Sequence, residues 1–120
     1  MELEDELQKW ETEFKKGFSK PFVLFSLAER PNYPYQVTKA ILGQTKGQFS
    51  IAGSNIYPIL KKLTDDELII FQIQQDKDGS EKKVYSLTSK GKNFLILLKQ
   101  AMKEFTVIVQ EMIDTYDEMK

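Results

Sequence analysis

The stretch Gly53-Ser-Asn-Ile-Tyr-Pro-Ile-Leu-Lys-Lys-Leu63 places a proline inside an otherwise helical pattern. Ile56, Ile59, Leu60 and Leu63 recur at the spacing of one buried helix face. Pro58 lacks an N–H, and its ring excludes the carbonyl four residues back, so it is tolerated within about the first turn. The helix therefore begins close upstream, near residues 52–55, runs over about 53–66, and needs no kink. Ser54, Asn55 and Tyr57 then fall at its N-terminal end, with Lys61 and Lys62 a turn further on.

Such an end suits duplex DNA. The leading residues of a helix-turn-helix reader reach base edges in the major groove, while helix N–H groups and lysines face phosphates. Asn pairs bidentately with adenine, and Ser and Tyr serve bases or phosphates. The plainer alternative is that Ser54 caps the helix, Asn55 tolerates the turn, and Tyr57 belongs partly to the core.

What flanks the stretch bears on the choice. Downstream, Leu68–Gln75 (LIIFQIQQ) is β-branched and aromatic, and favours a strand. Asp76–Lys83 (DKDGSEKK) reads as a long charged tip, and Val84–Leu87 (VYSL) as a short return strand, together a β-hairpin. Upstream, Tyr35–Gln44 reads as a helix burying Val37, Ala40 and Ile41 and exposing Gln36 and Lys39, preceded by the turn chemistry of Arg30–Tyr35. Pro21–Glu29 is apolar on nearly every side and reads as a central core helix, with Ser19 as its cap. Leu3, Leu7, Trp10 and Phe14 mark an amphipathic first helix over about 3–16, interrupted at Gly17.

Thr88 opens the longest helix. Leu95, Leu98, Met102, Phe105, Val109, Met112 and Tyr116 alternate steps of three and four, a heptad seam. Phe94, Leu97, Ala101 and Ile108 widen its apolar face beyond what one small core needs, so a second copy is the expected partner. The element order is that of a winged helix-turn-helix between two terminal helices. We divide the chain into an N-terminal amphipathic helix (1–18), a winged helix-turn-helix domain (19–87) and a C-terminal dimerisation helix (88–120). The fold class is mostly α, with a small β-hairpin wing.

Composition removes other classes. The 120 residues contain no cysteine and no histidine. Disulfides, thiol nucleophiles, zinc–thiolate sites, imidazole bases and imidazole metal ligands are thereby excluded. No Gly-rich phosphate loop is present either, so neither an enzyme nor a cofactor is expected. No apolar run reaches the roughly 20 residues of a membrane span, and the acidic start MELEDELQKW lacks signal-peptide order. A soluble cytoplasmic protein is the default expectation. The net charge of −1 does not advertise nucleic-acid binding. Its distribution permits it: residues 1–16 carry six acids against three lysines, whereas residues 17–67 carry five lysines and one arginine against four acids.

From about Gly17 to Gly91 the sequence resembles the PadR family of bacterial and archaeal transcriptional regulators. The resemblance rests on GFSKPFVLFSLAERPNYPYQV, on IYPILKKL and, most specifically, on KKVYSLTSKG, which contains Lys82, Lys83, Tyr85, Leu87, Thr88 and Gly91. The family's Ser/Thr–aliphatic–Tyr appears as Asn55, Ile56 and Tyr57. Three departures stand out. Pro34 replaces a usual glycine before Tyr35. Glu67 replaces a glycine near the end of the reading helix, where positive φ penalises other residues. Lysines replace the wing's usual arginines, leaving Arg30 as the sole arginine.

The resemblance implies a homodimer on an inverted-repeat operator in double-stranded DNA, usually repressing. It implies DNA contact for Gln36, Lys39, Ser54, Asn55, Tyr57, Pro58, Lys61 and Lys62, and for Ser80, Lys82 and Lys83 of the wing. Acids Asp76, Asp78 and Glu81 offset the wing's three lysines, so a merely solvated hairpin is the plainer reading there. The dimer contact falls to Leu3, Leu7 and Trp10 with the C-terminal seam Leu95, Leu98, Met102, Phe105, Val109, Met112 and Tyr116. The resemblance also admits a small hydrophobic effector, which some short members sandwich near the dimer centre. This chain offers Met102 and Phe105 there, and Trp10 reads rather as a dimer-packing residue. The rival classes are a winged helix that binds protein and a ligand-binding dimer without DNA binding. Salt separates the first rival from a DNA reader, because only lysine–phosphate contacts weaken steeply through counterion release.

Overall fold

A computed structural model describes residues 2–119. Helix α1, Leu3–Lys15, passes through one 3-10 turn, Lys16–Phe18, into α2, Ser19–Glu29. The expected break and cap at Ser19 are not there. Ser19 is helical (φ −59°, ψ −54°) and donates its N–H to the Lys16 carbonyl, because residues 16–18 keep near-helical backbone and leave no fresh N-terminus to cap.

Helix α3, Pro34–Gln44, starts with Pro34 at a first-turn position, where a missing N–H costs nothing. Helix α4, Ile56–Asp65, follows an eleven-residue connector, and the hairpin β1 (Ile69–Gln75) and β2 (Glu81–Leu87) leads into α5, Ser89–Glu118. Thr88 is the N-cap of α5, as its sequence position suggested, and its hydroxyl accepts the Gly91 N–H at 2.9 Å.

The core gathers Val23, Leu24 and Leu27 of α2, Val37 and Ile41 of α3, and Ile56, Leu60 and Leu63 of α4, closed by Ile69 and Tyr85 of the hairpin. Ala40 and Ile59 are only half-buried. Phe49 was not foreseen as core. It is buried from the connector, edge-on to Phe22 with ring centroids 4.9 Å apart, and so fixes the path between α3 and α4. Leu95 and Leu98 pack against this same core, which makes the first turns of α5 continuous with it.

The strands are antiparallel, with Ile69 opposite Leu87 and Gln75 opposite Glu81. The turn therefore spans only residues 76–80, shorter than the eight-residue tip expected. Glu81, Lys82 and Lys83 continue the ladder, because backbone pairing needs no apolar alternation where both faces meet solvent. Gly79 closes the turn at φ +84°, and Asp76 and Ser80 are bonded N–H to carbonyl at 2.9 Å. Asn32 adds a third, single-residue pairing by exchanging both backbone bonds with Tyr85, each 2.9 Å. Three helices and a hairpin in this order form a winged helix-turn-helix.

The radius of gyration is 17.3 Å, against about 14 Å for a compact chain of this length. The excess comes from α1 and the distal part of α5, where every residue from Lys103 to Met119 is exposed. Among the described residues no helix is long and apolar enough to cross a membrane.

Candidate nucleic-acid interface

A turn delivers α4: the Asn55 N–H donates to the Ala52 carbonyl at 2.8 Å, and helical dihedrals are continuous from Ile56. Pro58 is thus the third helical residue, within the turn whose N–H groups have no intrahelical acceptor. Ser54 and Asn55 lie just outside the helix, and neither side chain caps it. Ile56, Leu60 and Leu63 seat the helix on the core, which turns Tyr57, Pro58, Lys61 and Lys62 outward; Tyr57 is 60% exposed.

The far end of α4 is fixed by a Schellman closure. Leu68 N–H bonds the Leu63 carbonyl at 3.0 Å and Glu67 N–H the Thr64 carbonyl at 2.9 Å. Glu67 sits at φ +62°, so the left-handed conformation that glycine adopts most easily is held here by a residue with a side chain. The Glu67 carbonyl accepts from the Thr88 hydroxyl at 2.6 Å, and the Leu68 carbonyl accepts the Thr88 N–H at 3.1 Å. Gly91 passes directly over that same Leu68 carbonyl. The Leu-Thr-x-x-Gly run is therefore a clasp between α4 and α5.

The start of α3, the start of α4 and strand β2 enclose a groove of about 490 Å³ lined by Tyr33, Tyr35, Gln36, Tyr57, Lys82 and Lys83. It unites four residues singled out from sequence with two tyrosines that were not. Tyr33 donates its hydroxyl to Gln74 Oε1 at 2.9 Å, tying the entry of α3 to β1. The Lys82 ammonium lies 5.6 Å from the Tyr33 ring centre, Lys39 lies 5.7 Å from that of Tyr35, and Lys83 lies 4.5 Å from that of Phe71. The repeated tyrosines around Pro34 were the available signal, since tyrosine is enriched on recognition surfaces.

Not every expected residue joins the groove. Asn55 instead lines a wider depression shared with Leu7, Glu11, Lys15 and Ile59 on the α1 side. Ser80 sits at the wing turn, where its hydroxyl donates to Asp78 Oδ1 at 2.7 Å. That bond, with the backbone N–H of Ser80, holds the Asp78 carboxyl below its ordinary range. The hydrogen bond from Lys82 to Asp76 keeps the ammonium above its usual range. Burial, and secondarily the neighbouring Tyr57, pushes the Tyr85 phenol up.

Of the expected dimer residues, Leu3 (83% exposed), Leu7, Trp10, Phe105, Val109, Met112 and Tyr116 are all exposed in the single chain. Met102 is half-buried, and Leu95 and Leu98 are engaged with the chain's own core.

Comparison with known proteins fits this geometry. Fifty residues are 50% identical to the negative transcriptional regulator PadR of Bacillus subtilis, covering 41% of this chain and 28% of that protein. The crystal structure of Bacillus subtilis PadR in complex with operator DNA superposes with a TM-score of 0.59 at 36% identity, covering 63% of this chain and 44% of that one. A PadR family regulator from Eggerthella lenta matches in fold over 92% of this chain and 94% of its own, with a TM-score of 0.79 at 21% identity. Residues 23–96 match the Transcriptional regulator PadR-like family, the span running from the core of α2 through the wing and over the Thr88–Gly91 clasp. With the winged helix and that clasp in place, the chain belongs to the PadR-like family, whose members are DNA-binding transcriptional regulators and not enzymes.

Proposed function

We propose that the protein is a homodimeric, sequence-specific regulator that represses from an inverted-repeat operator. In this reading α4 enters the major groove, and Lys82 and Lys83 of the wing follow the adjacent phosphates. The observation that carries it is the groove joining the exposed N-terminal turn of α4 to the wing, with Tyr57, Gln36, Lys82 and Lys83 on one surface. The likeness to a regulator solved with operator DNA supports duplex DNA as the partner, and the name of the Bacillus subtilis relative supports repression.

The dimer is supported by the apolar residues of α1 and α5. Burying a large apolar side chain contributes about 1.5–3 kcal/mol, and Phe105, Met112 and Tyr116 are each more than half exposed in the single chain. An isolated subunit leaves that stabilisation unused, whereas a second copy recovers it on both sides of a two-fold axis.

The test is fluorescence-anisotropy binding to a pool of random duplexes at low and moderate salt, with sequencing of what is retained. An enriched inverted repeat whose affinity falls as salt rises supports the reading. Absence of retention at low salt favours a winged helix that binds protein.

A further inference from the structure

On the two elements that the proposed function turns toward DNA, three lysines are already occupied by aspartates. Lys61 Nζ lies 2.9 Å from Asp65 Oδ2 and Lys62 Nζ 3.3 Å from Asp66 Oδ1, both one turn on along α4. Lys82 Nζ lies 2.7 Å from Asp76 Oδ2 at the base of the wing turn. From Ile56 to Glu67 two lysines meet three acids, and from Asp76 to Lys83 three lysines meet three acids. The face offered to a polyanion thus carries no net positive charge on either element.

Helix stability alone would not select this arrangement. Asp65, Asp66 and Glu67 crowd the C-terminal end of α4, where the helix dipole is negative and favours cations. Glu67 also holds a left-handed backbone that glycine would adopt without strain. The exposed ion pairs offset little of this, since such i,i+4 pairs contribute only a few tenths of a kcal/mol each. Negative charge stands here against local stability, beside the lysines best placed for phosphate.

Resting on the DNA-binding reading above, we propose that Asp65, Asp66 and Asp76 are specificity-determining residues that hold down affinity for duplex of arbitrary sequence. Loosely seated complexes depend almost wholly on the net charge of the protein face. The aspartates cancel that charge and meet phosphate with repulsion. In a specifically seated complex, contacts from the N-terminal turn of α4 bring phosphates close enough to exchange for the aspartates, and the lysines are recovered. Sequence-independent binding loses more than operator binding does.

The test compares the parent with Asp65→Asn/Asp66→Asn, and with the same variant carrying Asp76→Asn. The probes are a 25-base-pair random duplex and the duplex enriched by the parent, each titrated from low to moderate salt. Two altered pairs on each of two protomers correspond to roughly tenfold tighter binding of the random duplex at low salt. The salt dependence should steepen, and the enriched duplex should gain less. Adding Lys61→Gln and Lys62→Gln should cancel the gain, because the aspartates act through those lysines. A random-duplex affinity within about twofold of the parent overturns the inference, as does an equal gain on both duplexes. A melting temperature lowered by more than about 4 °C would mark the acids as helix-stabilising and also overturn it. If the parent retains no duplex, so that the random duplex is the sole probe, and the variant binds it, masking is supported. Binding by neither removes the DNA-binding reading, and this inference with it.

Discussion

Replacing Gly91 with alanine tests the clasp that joins the winged helix to α5. A Cβ built there lies 2.0 Å from the Leu68 carbonyl oxygen and 3.0 Å from its carbon, whereas carbon and oxygen ordinarily approach to about 3.3 Å. The start of α5 must therefore retreat by about 1 Å. The groups resisting that shift are the Thr88 hydroxyl on the Glu67 carbonyl at 2.6 Å and the Thr88 N–H on the Leu68 carbonyl at 3.1 Å. Losing both costs about 2 kcal/mol, and the acceptor stranded on buried Leu68 adds about 1–2. The better helix propensity of alanine returns about 1 kcal/mol. The net destabilisation of about 2–3 kcal/mol lowers the melting temperature by roughly 10 °C for a chain of this size. Melts followed at 222 nm at one fixed protein concentration measure it, since association makes the midpoint depend on concentration. Gly43→Ala is the control, because nothing lies within 4 Å of its built Cβ on α3, and it should leave stability unchanged or slightly raised. A Gly91→Ala midpoint within about 2 °C of the parent would refute the close-approach argument.

Three other outcomes are expected. Tyr57→Ala or Lys61→Ala should weaken binding of the enriched duplex about tenfold while sedimentation stays that of the parent, and Lys61→Ala should lower the salt slope by roughly one per lost phosphate contact; parental binding by both variants would remove α4 as the reader. Phe105→Glu with Met112→Glu should give monomers in sedimentation velocity with helicity largely retained, and an unchanged sedimentation coefficient would remove the dimer. Tyr85 has its phenol raised above its ordinary value of 10.0, chiefly by burial. A raised value in the folded state means the contribution is full below the unfolded value and lost as pH rises through the folded one. Stability should therefore fall above about pH 10, and Tyr85→Phe should blunt that fall in urea titrations at pH 8 and pH 11.

The helices of this fold are legible because their signals are local. The spacing of Ile56, Leu60 and Leu63 and the position of Pro58 place α4 within three residues at its start and one at its end, and Thr88 marks the beginning of α5. Ser19 misleads, because a serine before an apolar run looks like a cap whether or not the preceding turn is helical. The wing is misjudged in length because Glu81, Lys82 and Lys83 pair through backbone groups that side-chain alternation does not report. The Asn32–Tyr85 pairing and the burial of Phe49 depend on partners more than 20 residues away, and no periodicity encodes them. Glu67 is the instructive residue. Its identity flags a strained C-terminus, and the backbone adopts the left-handed value regardless, since the Schellman bonds and the Thr88 clasp outweigh the strain. On the candidate interface, the sequence supplies the lysines, but their aspartate partners appear only once helix phase and turn geometry are known.

Helix α5 carries no glycine or proline after Gly91, and it is continuous from residues seated in the core to residues exposed in the single chain. From Leu95 to Met112 the axis extends about 25 Å as one rod. In the proposed dimer that rod works as a lever. A rocking of the two rods by about 10° displaces a point at that radius by about 4 Å, close to the rise of one base pair along duplex DNA. The two reading helices would then stand out of phase with successive turns of the duplex. Control of such a protein needs no hinge within the winged helix, only a small change in the angle at which two stiff rods cross.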